Sequence, residues 1–412
     1  MILGDTLTCN IESLSYGGDG IARIDGFVVF IPETITGETV TARITQIKKT
    51  FARAIMLTVI TPSLHRIIPC CRVNNPDTDL QCRVPGCVYD HLDATAELHA
   101  KQKQLEGFIS KLTRHTKPLT CLPPHPAPAS LHYRNKIVLH TRRDRHTMRF
   151  GYHLKSSHKL LDIAACPLAC DPINATLETL RHSDNLNYLQ NESNVTFRYT
   201  PYDGTLWWEA GQSTHTKHPA YLTEMSVIGP VYVPREGFYQ VNVEVGDALI
   251  RDVVTWFSEH SINYEILDLY CGMGIFGFAC MAAGGSRLTG IESGRTAVEA
   301  ARNNAIKLGM PATFHCQELG VSSLSFNSLI NNPKQTAVIL DPPRDGMTPR
   351  MTLALANSGI ARIFYISCDP ATLTRDLTLL IAEGHYQPVR ARLFNLFPRT
   401  AHFETLVELC KI

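Results

Sequence analysis

"YEILDLYCGMGIFG", residues 264–277, decides the fold. An apolar run of strand length gives way to glycines at 272, 274 and 277, and a helical pattern opens behind them. Such a Gly-x-Gly-x-x-Gly turn lets the backbone approach a ligand closely. About twenty residues on, Glu292 closes the next apolar run, where an acid can accept hydrogen bonds from a ribose diol. A nicotinamide dinucleotide and S-adenosylmethionine both carry such a ribose. The loop therefore leaves both open, and a tight strand–helix turn that merely needs glycine would look the same.

The surroundings extend the pattern. "EVGDALIRDVVTWFSEH" reads as a helix ahead of this strand. "RLTGIES", "TAVILDPPR", "RIFYISCDP" and "TLVELCKI" are short apolar runs separated by helical segments. This alternation predicts a mostly parallel, doubly wound sheet over 236–412. In such a sheet the strand ends share one crevice. "DPPRDG" puts Asp341 there, and "FYISCDP" puts Cys368 at the exit of its strand. A dehydrogenase has no use for that thiol. A carboxylate, a thiol and a ribose site along one edge point to group transfer through a covalent intermediate.

The remaining sequence bounds the partners. The chain has 412 residues, 44% hydrophobic and 19% charged, and its length suggests several domains. No apolar stretch reaches membrane-spanning length, and the start has no secretory signal pattern. A cytoplasmic location is therefore expected, with the thirteen cysteines free, catalytic or metal-bound. Net charge is only +1, but residues 132–159 hold eight Lys/Arg against one acid, with five histidines between them. That segment predicts a phosphate-facing surface.

Residues 1–60 show short Val/Ile/Phe runs between Gly-containing turns, the pattern of a small OB-like β-barrel. Binding there would rest on Arg43, Lys48, Lys49 and Arg53. A purely structural barrel fits the composition nearly as well. Residues 61–235 read as a cysteine loop, a helix from Asp93 to about His115 with Asp93 as its N-cap, and a β-rich region. Cys9, Cys121, Cys271, Cys280, Cys316 and Cys410 read as structural residues.

Five motifs in order, "FYQVN" (238–242), "DLYCGMGIFG", "DPPRDG", "SCDPATLTRDL" and "FPRTAHFETLVEL" (397–409), resemble the RNA uracil-5-methyltransferase family. The start looks like a TRAM domain. The resemblance implies S-adenosylmethionine-dependent methylation of uridine carbon 5, in 23S ribosomal RNA first and transfer RNA as the alternative. It gives Cys368 as nucleophile and Glu404 as the base that removes the C5 proton. It gives Gln240, Tyr270, Gly272, Gly274, Glu292, Asp341 and, as a weaker fit, Glu318 as cofactor contacts.

"CRVPGCVYDHL" and "LLDIAACPL" resemble the family's iron–sulfur cysteines, here Cys71, Cys82, Cys87 and Cys166. Cys70 and Cys170 are alternative ligands, and zinc is the second choice after [4Fe-4S]. The core spacing, Cys82-x4-Cys87, departs from the family's Cys-Gly-Gly-Cys. Ile275 and Asp369 depart as well, the latter replacing the commoner Asn; its charge is expected to raise the neighbouring thiol's pKa by repulsion. An RNA-binding assembly factor without catalysis is the competing class, against which the Cys368/Glu404 pair speaks. A monomer is expected.

Overall fold

The computed structural model describes the chain apart from residues 75–80, 113–118, 145–146, 155–158, 184–185, 187–188, 211–218, 261–262 and 321–325, and the side chains of 81, 82 and 327. Among the described residues no helix is long and apolar enough to cross a membrane.

The glycine-loop strand, Glu265–Leu269, sits inside an eight-stranded sheet. On one side lie Arg287–Glu292 and then Ala312–Cys316. On the other lie Thr336–Leu340, Arg362–Ser367, Glu404–Lys411, Tyr386–Phe394 and the short Thr120–Cys121. The first five run parallel. Their interior residues are nearly all buried, as a sheet covered by helices on both faces requires. The chain leaves Glu265–Leu269 in one direction and later returns to its other flank. The strand order therefore reverses there, and a crevice opens at the carboxyl ends.

Glu404–Lys411 is antiparallel to Arg362–Ser367, with Ser367 opposite Thr405. An antiparallel strand starts where its neighbour ends. That register brings Glu404 to the same edge as Cys368, although 36 positions separate them in sequence.

The N-terminal strands form a six-stranded sheet in the order Thr6–Asn10, Thr39–Ile47, Phe51–Thr61, Phe27–Ile31, Gly20–Ile24, Ser13–Leu14. Alternate residues, among them Ala22, Val29, Ile31, Val40, Ala42, Ile44 and Ala52, close its core. Three register shifts between the two longest strands bend the sheet. Arg43, Lys48, Lys49 and Arg53 are exposed, and Arg53 pairs with Asp19 at 2.9 Å while lying over Phe30 and Phe51.

The central region holds a five-stranded antiparallel sheet and a hairpin, together with a helix at Asp171–Arg181. Ile173, Leu177 and Leu180 bury one face of that helix, and Pro172 sits in its first turn. The basic segment is only partly a free surface. Lys136 and Arg143 donate to backbone carbonyls of Gly237, Leu186 and Leu189. Arg142 and Arg149 stand exposed directly opposite each other across two strands. Arg149 also forms an ion pair with Asp144, so its charge is partly answered within the hairpin.

Asp93 caps the helix Ala94–Ile109 by accepting from the Ala96 N–H at 2.8 Å. This helix is shorter than the sequence pattern suggests and buries Glu97, Lys101 and Gln104 beside Leu105 and Ile109. Cys9, Cys271 and Cys280 are buried as expected, whereas Cys316 is exposed at the end of its strand.

Candidate active site

The glycine loop is built by three different backbone needs. Gly272 and Gly274 have φ of +53° and +86°, a region that side chains rarely enter. A Cβ on Gly272 would meet nothing within 4 Å, so the loop presents bare backbone to the crevice there. Gly277 serves packing instead. A Cβ there would lie 2.6 Å from Leu288 Cδ1 and 2.8 Å from Asp268 Oδ2. That closeness lets the Gly277 N–H donate to Asp268 Oδ2 at 3.0 Å, tying the helix Ile275–Ala282 to the strand. Asp268 was not apparent from the sequence as a site residue. It is fully buried, its other oxygen has no partner, and burial first pushes its carboxyl up to about 8. Cys271 packs beneath Gly290 and is structural. Ile275 packs beside Met273 and Tyr239 rather than offering a polar group.

Glu292 holds the loop from the next strand. Its carboxylate accepts from the Gly272 N–H at 3.2 Å, the Gly294 N–H at 2.7 Å and the Ser293 hydroxyl at 3.1 Å. Tyr270 turns with φ +61° and is half-buried. Asp341 follows Thr336–Leu340, and burial, then Glu292, push its carboxyl up to about 7. Gln240 is buried against the start of the helix Val243–His260. There Gly246 leaves room for it, since a Cβ would come within 2.8 Å of the Gln240 Cβ. Its Oε1 has no partner. Glu318 lies exposed beyond the strand Ala312–Cys316, next to residues outside the description.

Cys368 is half-buried at its strand exit. Burial first, then Glu404 and Asp341, push its thiol up to about 12, while Arg344 opposes them. Glu404 is buried, its Oε2 has no partner, and burial and Asp341 raise its carboxyl far above the usual range. Three electrostatic neighbours thus meet at the thiol: Glu404, Asp341 and Arg344. Arg344, in the quoted "DPPRDG", went unassigned in the sequence. It is exposed, and it is the positive charge acting on both Cys368 and Glu404.

Asp369 does something other than repel the thiol. It is not among the main causes of the Cys368 shift. Its Oδ1 accepts from the N–H groups of Ala371 and Thr372 at 2.9 and 3.0 Å, capping the helix Pro370–Ala382. The rest of "TLTRDL" holds the Asp-Pro-Pro loop. Thr372 donates to the Arg344 carbonyl and Arg375 to the Asp345 carbonyl. Asp376 accepts from the Met347 N–H and the Tyr365 hydroxyl, both at 2.7 Å. On the far side, the buried Glu97 accepts from the Arg399 N–H at 2.9 and 3.0 Å. Lys101 bridges Glu97 and Asn395, each at 2.7 Å. These contacts fix the turn that leads into Glu404.

This arrangement of strand ends matches a known family. Residues 230–412 match the tRNA (Uracil-5-)-methyltransferase family model, and residues 3–57 match the TRAM domain. Over these residues the chain resembles the RNA uracil-5-methyltransferase family. It is 29% identical to an uncharacterized RNA methyltransferase of Bdellovibrio bacteriovorus, over 99% of this chain and 96% of that one. It is 28% identical to the 23S rRNA (uracil(1939)-C(5))-methyltransferase RlmD of Marinomonas sp., over 99% and 96% of the two chains. Its fold matches the crystal structure of a Pyrococcus abyssi tRNA (uracil-54, C5)-methyltransferase in complex with S-adenosyl-L-homocysteine. The TM-score is 0.72 at 20% identity, over 98% and 99% of the chains. The protein is accordingly an RNA methyltransferase, with S-adenosylmethionine as cofactor and RNA as substrate.

The orphaned Gln240 Oε1, the orphaned Asp268 Oδ1 and the bare Gly272 backbone suit that cofactor. It brings hydrogen-bond donors and a sulfonium cation to a crevice rich in carboxyl groups. The cysteine loop of this methyltransferase is less complete. Cys71, Cys87 and Cys166 are buried in one core, with the Cys71 and Cys87 sulfurs 2.9 Å apart. The contact with Cys87 and then burial raise the Cys71 thiol. The Cys82 side chain lies outside the described residues. Among those described, no three potential ligands are close enough to hold a metal ion. Cys70 is exposed, and Cys170 precedes the helix Asp171–Arg181.

Proposed function

We propose that the protein methylates carbon 5 of a uridine in 23S ribosomal RNA, with Cys368 as nucleophile and Glu404 as base. The observation that carries this reading is the pairing of the strands bearing them. It puts a thiol and a buried carboxyl at one edge, beside Asp341, Glu292 and the glycine loop. S-adenosylmethionine is consumed as a substrate: it would supply an electrophilic methyl group as its S–CH3 bond breaks and leave as S-adenosylhomocysteine. Cys368 gives up its proton to solvent and its sulfur adds to C6 of the uracil. Electron density then moves to C5, which becomes nucleophilic. Once C5 carries the methyl group, Glu404 takes the remaining C5 proton, the C5–C6 double bond re-forms and the thiolate leaves. Gln240, Tyr270, Gly272, Gly274, Glu292 and Asp341 hold the cofactor, and Glu318 contributes from the outer edge. The target base must leave its stack to reach Cys368, so the substrate is a loop or a flipped nucleotide. Arg142, Arg149 and the barrel's cations would take flanking phosphates.

The chain works in the cytoplasm as a monomer, in three parts bounded near residues 60 and 235. Cys71, Cys82, Cys87 and Cys166 hold a [4Fe-4S] cluster, a reading supported by three of these thiols sharing one buried core.

The test is incubation with methyl-labelled S-adenosylmethionine and separated ribosomal and transfer RNA, followed by mapping of the label. Label in 23S RNA is expected. Label in transfer RNA alone would move the substrate, and none in either would leave the RNA-binding reading. RNA containing 5-fluorouridine should form a covalent adduct with the wild type and none with Cys368→Ala; an adduct with the variant would overturn the nucleophile assignment.

A further inference from the structure

One side chain of the N-terminal barrel reaches the catalytic edge. Tyr16 stands in the turn between Ser13–Leu14 and Gly20–Ile24, and the turn is closed by Ser15 N–H to the Asp19 carbonyl at 2.8 Å. Its ring meets Phe403 edge-on at 6.0 Å between centroids and Phe108 at 5.8 Å. Its hydroxyl lies 3.5 Å from Asp369 Oδ2. Phe403 directly precedes Glu404, and Asp369 directly follows Cys368. A single residue, over three hundred positions from both, thus contacts the neighbour of the nucleophile and the neighbour of the base.

The contact also gives Asp369 a second task. One oxygen caps the helix Pro370–Ala382 through two N–H groups, and the other is left for Tyr16. Burial first, then Asp369 and Cys368, raise the phenol well above its usual value. The hydroxyl therefore stays protonated and donates to the carboxylate. Gln104 fixes the turn from behind: its Nε2 donates to the Ser15 carbonyl and the Tyr89 hydroxyl, each at 2.8 Å.

We propose that Tyr16 is a positioning residue for the methyl transfer. The barrel, besides any RNA it holds, completes the active site by fixing the Cys368 loop through Asp369 and the Glu404 strand through Phe403. The inference rests on the reading of Cys368 as nucleophile. It implies that a catalytic domain without its barrel would have a misplaced thiol as well as weaker RNA binding.

Tyr16→Phe keeps the ring contacts and removes only the hydroxyl. Asp369→Ser keeps a helix-capping oxygen on a side chain too short to reach Tyr16. The measurement is the rate of covalent adduct formation on 5-fluorouridine RNA with S-adenosylmethionine, at saturating and limiting RNA. Each single variant should slow the saturated rate about three- to tenfold, the size of one lost hydrogen bond. The RNA concentration for half-saturation should stay within about twofold, and the double variant should be no slower than the slower single one. Asp369→Asn, which can cap and still bond the hydroxyl, should stay near the wild-type rate.

An unchanged saturated rate in Tyr16→Phe would overturn the proposal. So would a loss confined to RNA half-saturation, or effects that multiply in the double variant. A wild type that forms no adduct at all would refute the reading of Cys368 instead.

Discussion

Gly272 and Gly277 occupy one loop but answer to different demands, and alanine at each position separates them. At Gly272 a Cβ has nothing within 4 Å. The only folding cost of Gly272→Ala is a left-handed backbone at φ +53°, about 1–2 kcal/mol for a non-glycine residue. The new methyl points into open space, which the proposed site gives to the cofactor. A group of that size in a fitted site costs about 10- to 200-fold in affinity. At Gly277 the methyl would sit 2.6 Å from Leu288 and 2.8 Å from the Asp268 carboxylate. Overpacking of that kind costs about 1–3 kcal/mol, and the strain falls on the bond that docks the helix. Calorimetric titration with S-adenosylhomocysteine and thermal melting of both variants give the assay. Gly272→Ala should lose at least about tenfold in affinity with a melting point only a few degrees lower. Gly277→Ala should lose more in melting temperature for each unit of affinity lost. The reasoning fails if Gly272→Ala binds S-adenosylhomocysteine within about twofold of the wild type, because the open space would then not be the cofactor's.

Lys101→Met should destabilise the fold by about 3 kcal/mol, the lower end for breaking a buried pair, because Glu97 loses its nearer cation and keeps only the Arg399 guanidinium at 3.7 Å. Denaturant unfolding of Lys101→Met, and of Lys101→Met with Glu97→Gln, checks this, and recovery in the double variant is expected. Stability should fall as pH rises from about 4 to about 7. The folded state keeps a proton on Asp341 that the unfolded chain has released, so raised carboxyl groups favour folding at low pH and lose that advantage as pH climbs. Melting temperature against pH should slope downward in that window and flatten in Asp341→Asn; an unchanged slope in the variant sinks the assignment. Anaerobic protein should be brown, with visible absorbance lost in Cys87→Ser and Cys166→Ser. A colourless protein that releases zinc on denaturation would replace the cluster with zinc.

The sites readable from sequence are those that follow from where strands end. Gly272, Glu292, Asp341 and Cys368 each close a parallel strand, and the rule that ligands bind at carboxyl edges gathers them without knowledge of packing. Glu404 does not follow from that rule. It starts a strand, and only the antiparallel pairing brings it to the edge, so the resemblance alone pointed to it. Glu97 and Lys101 look like a solvated i, i+4 pair on a helix surface, and their burial depends on the Arg399 turn some 300 residues away. The helix Asp171–Arg181 does leave a signal, Pro172 followed by Ile173, Leu177 and Leu180, which a β-rich reading of the central region does not capture. Asp369 carries the same cap signal as Asp93, strengthened by Pro370 at the first helical position, but reading it as a charged departure hides that role.

The electrostatics of the free site bear on the order of events. Asp268, Asp341, Glu404 and the Cys368 thiol all hold protons more tightly than usual, and burial is the leading cause for each. With the thiol near 12, its thiolate is a minute fraction of the free enzyme at neutral pH. Arg344 alone is too exposed to reverse this, since solvent weakens its field. A cationic methyl donor beside Asp341 and Glu292 would offset the negative charge that raises Cys368. Glu404 must lose its proton before it can take one from C5, and the Cys368 proton must leave before sulfur can add to C6. On the roles proposed for Cys368 and Glu404, both deprotonations would become easier with the donor's positive charge in place, and the acidic crevice would couple cofactor occupancy to activation of the thiol.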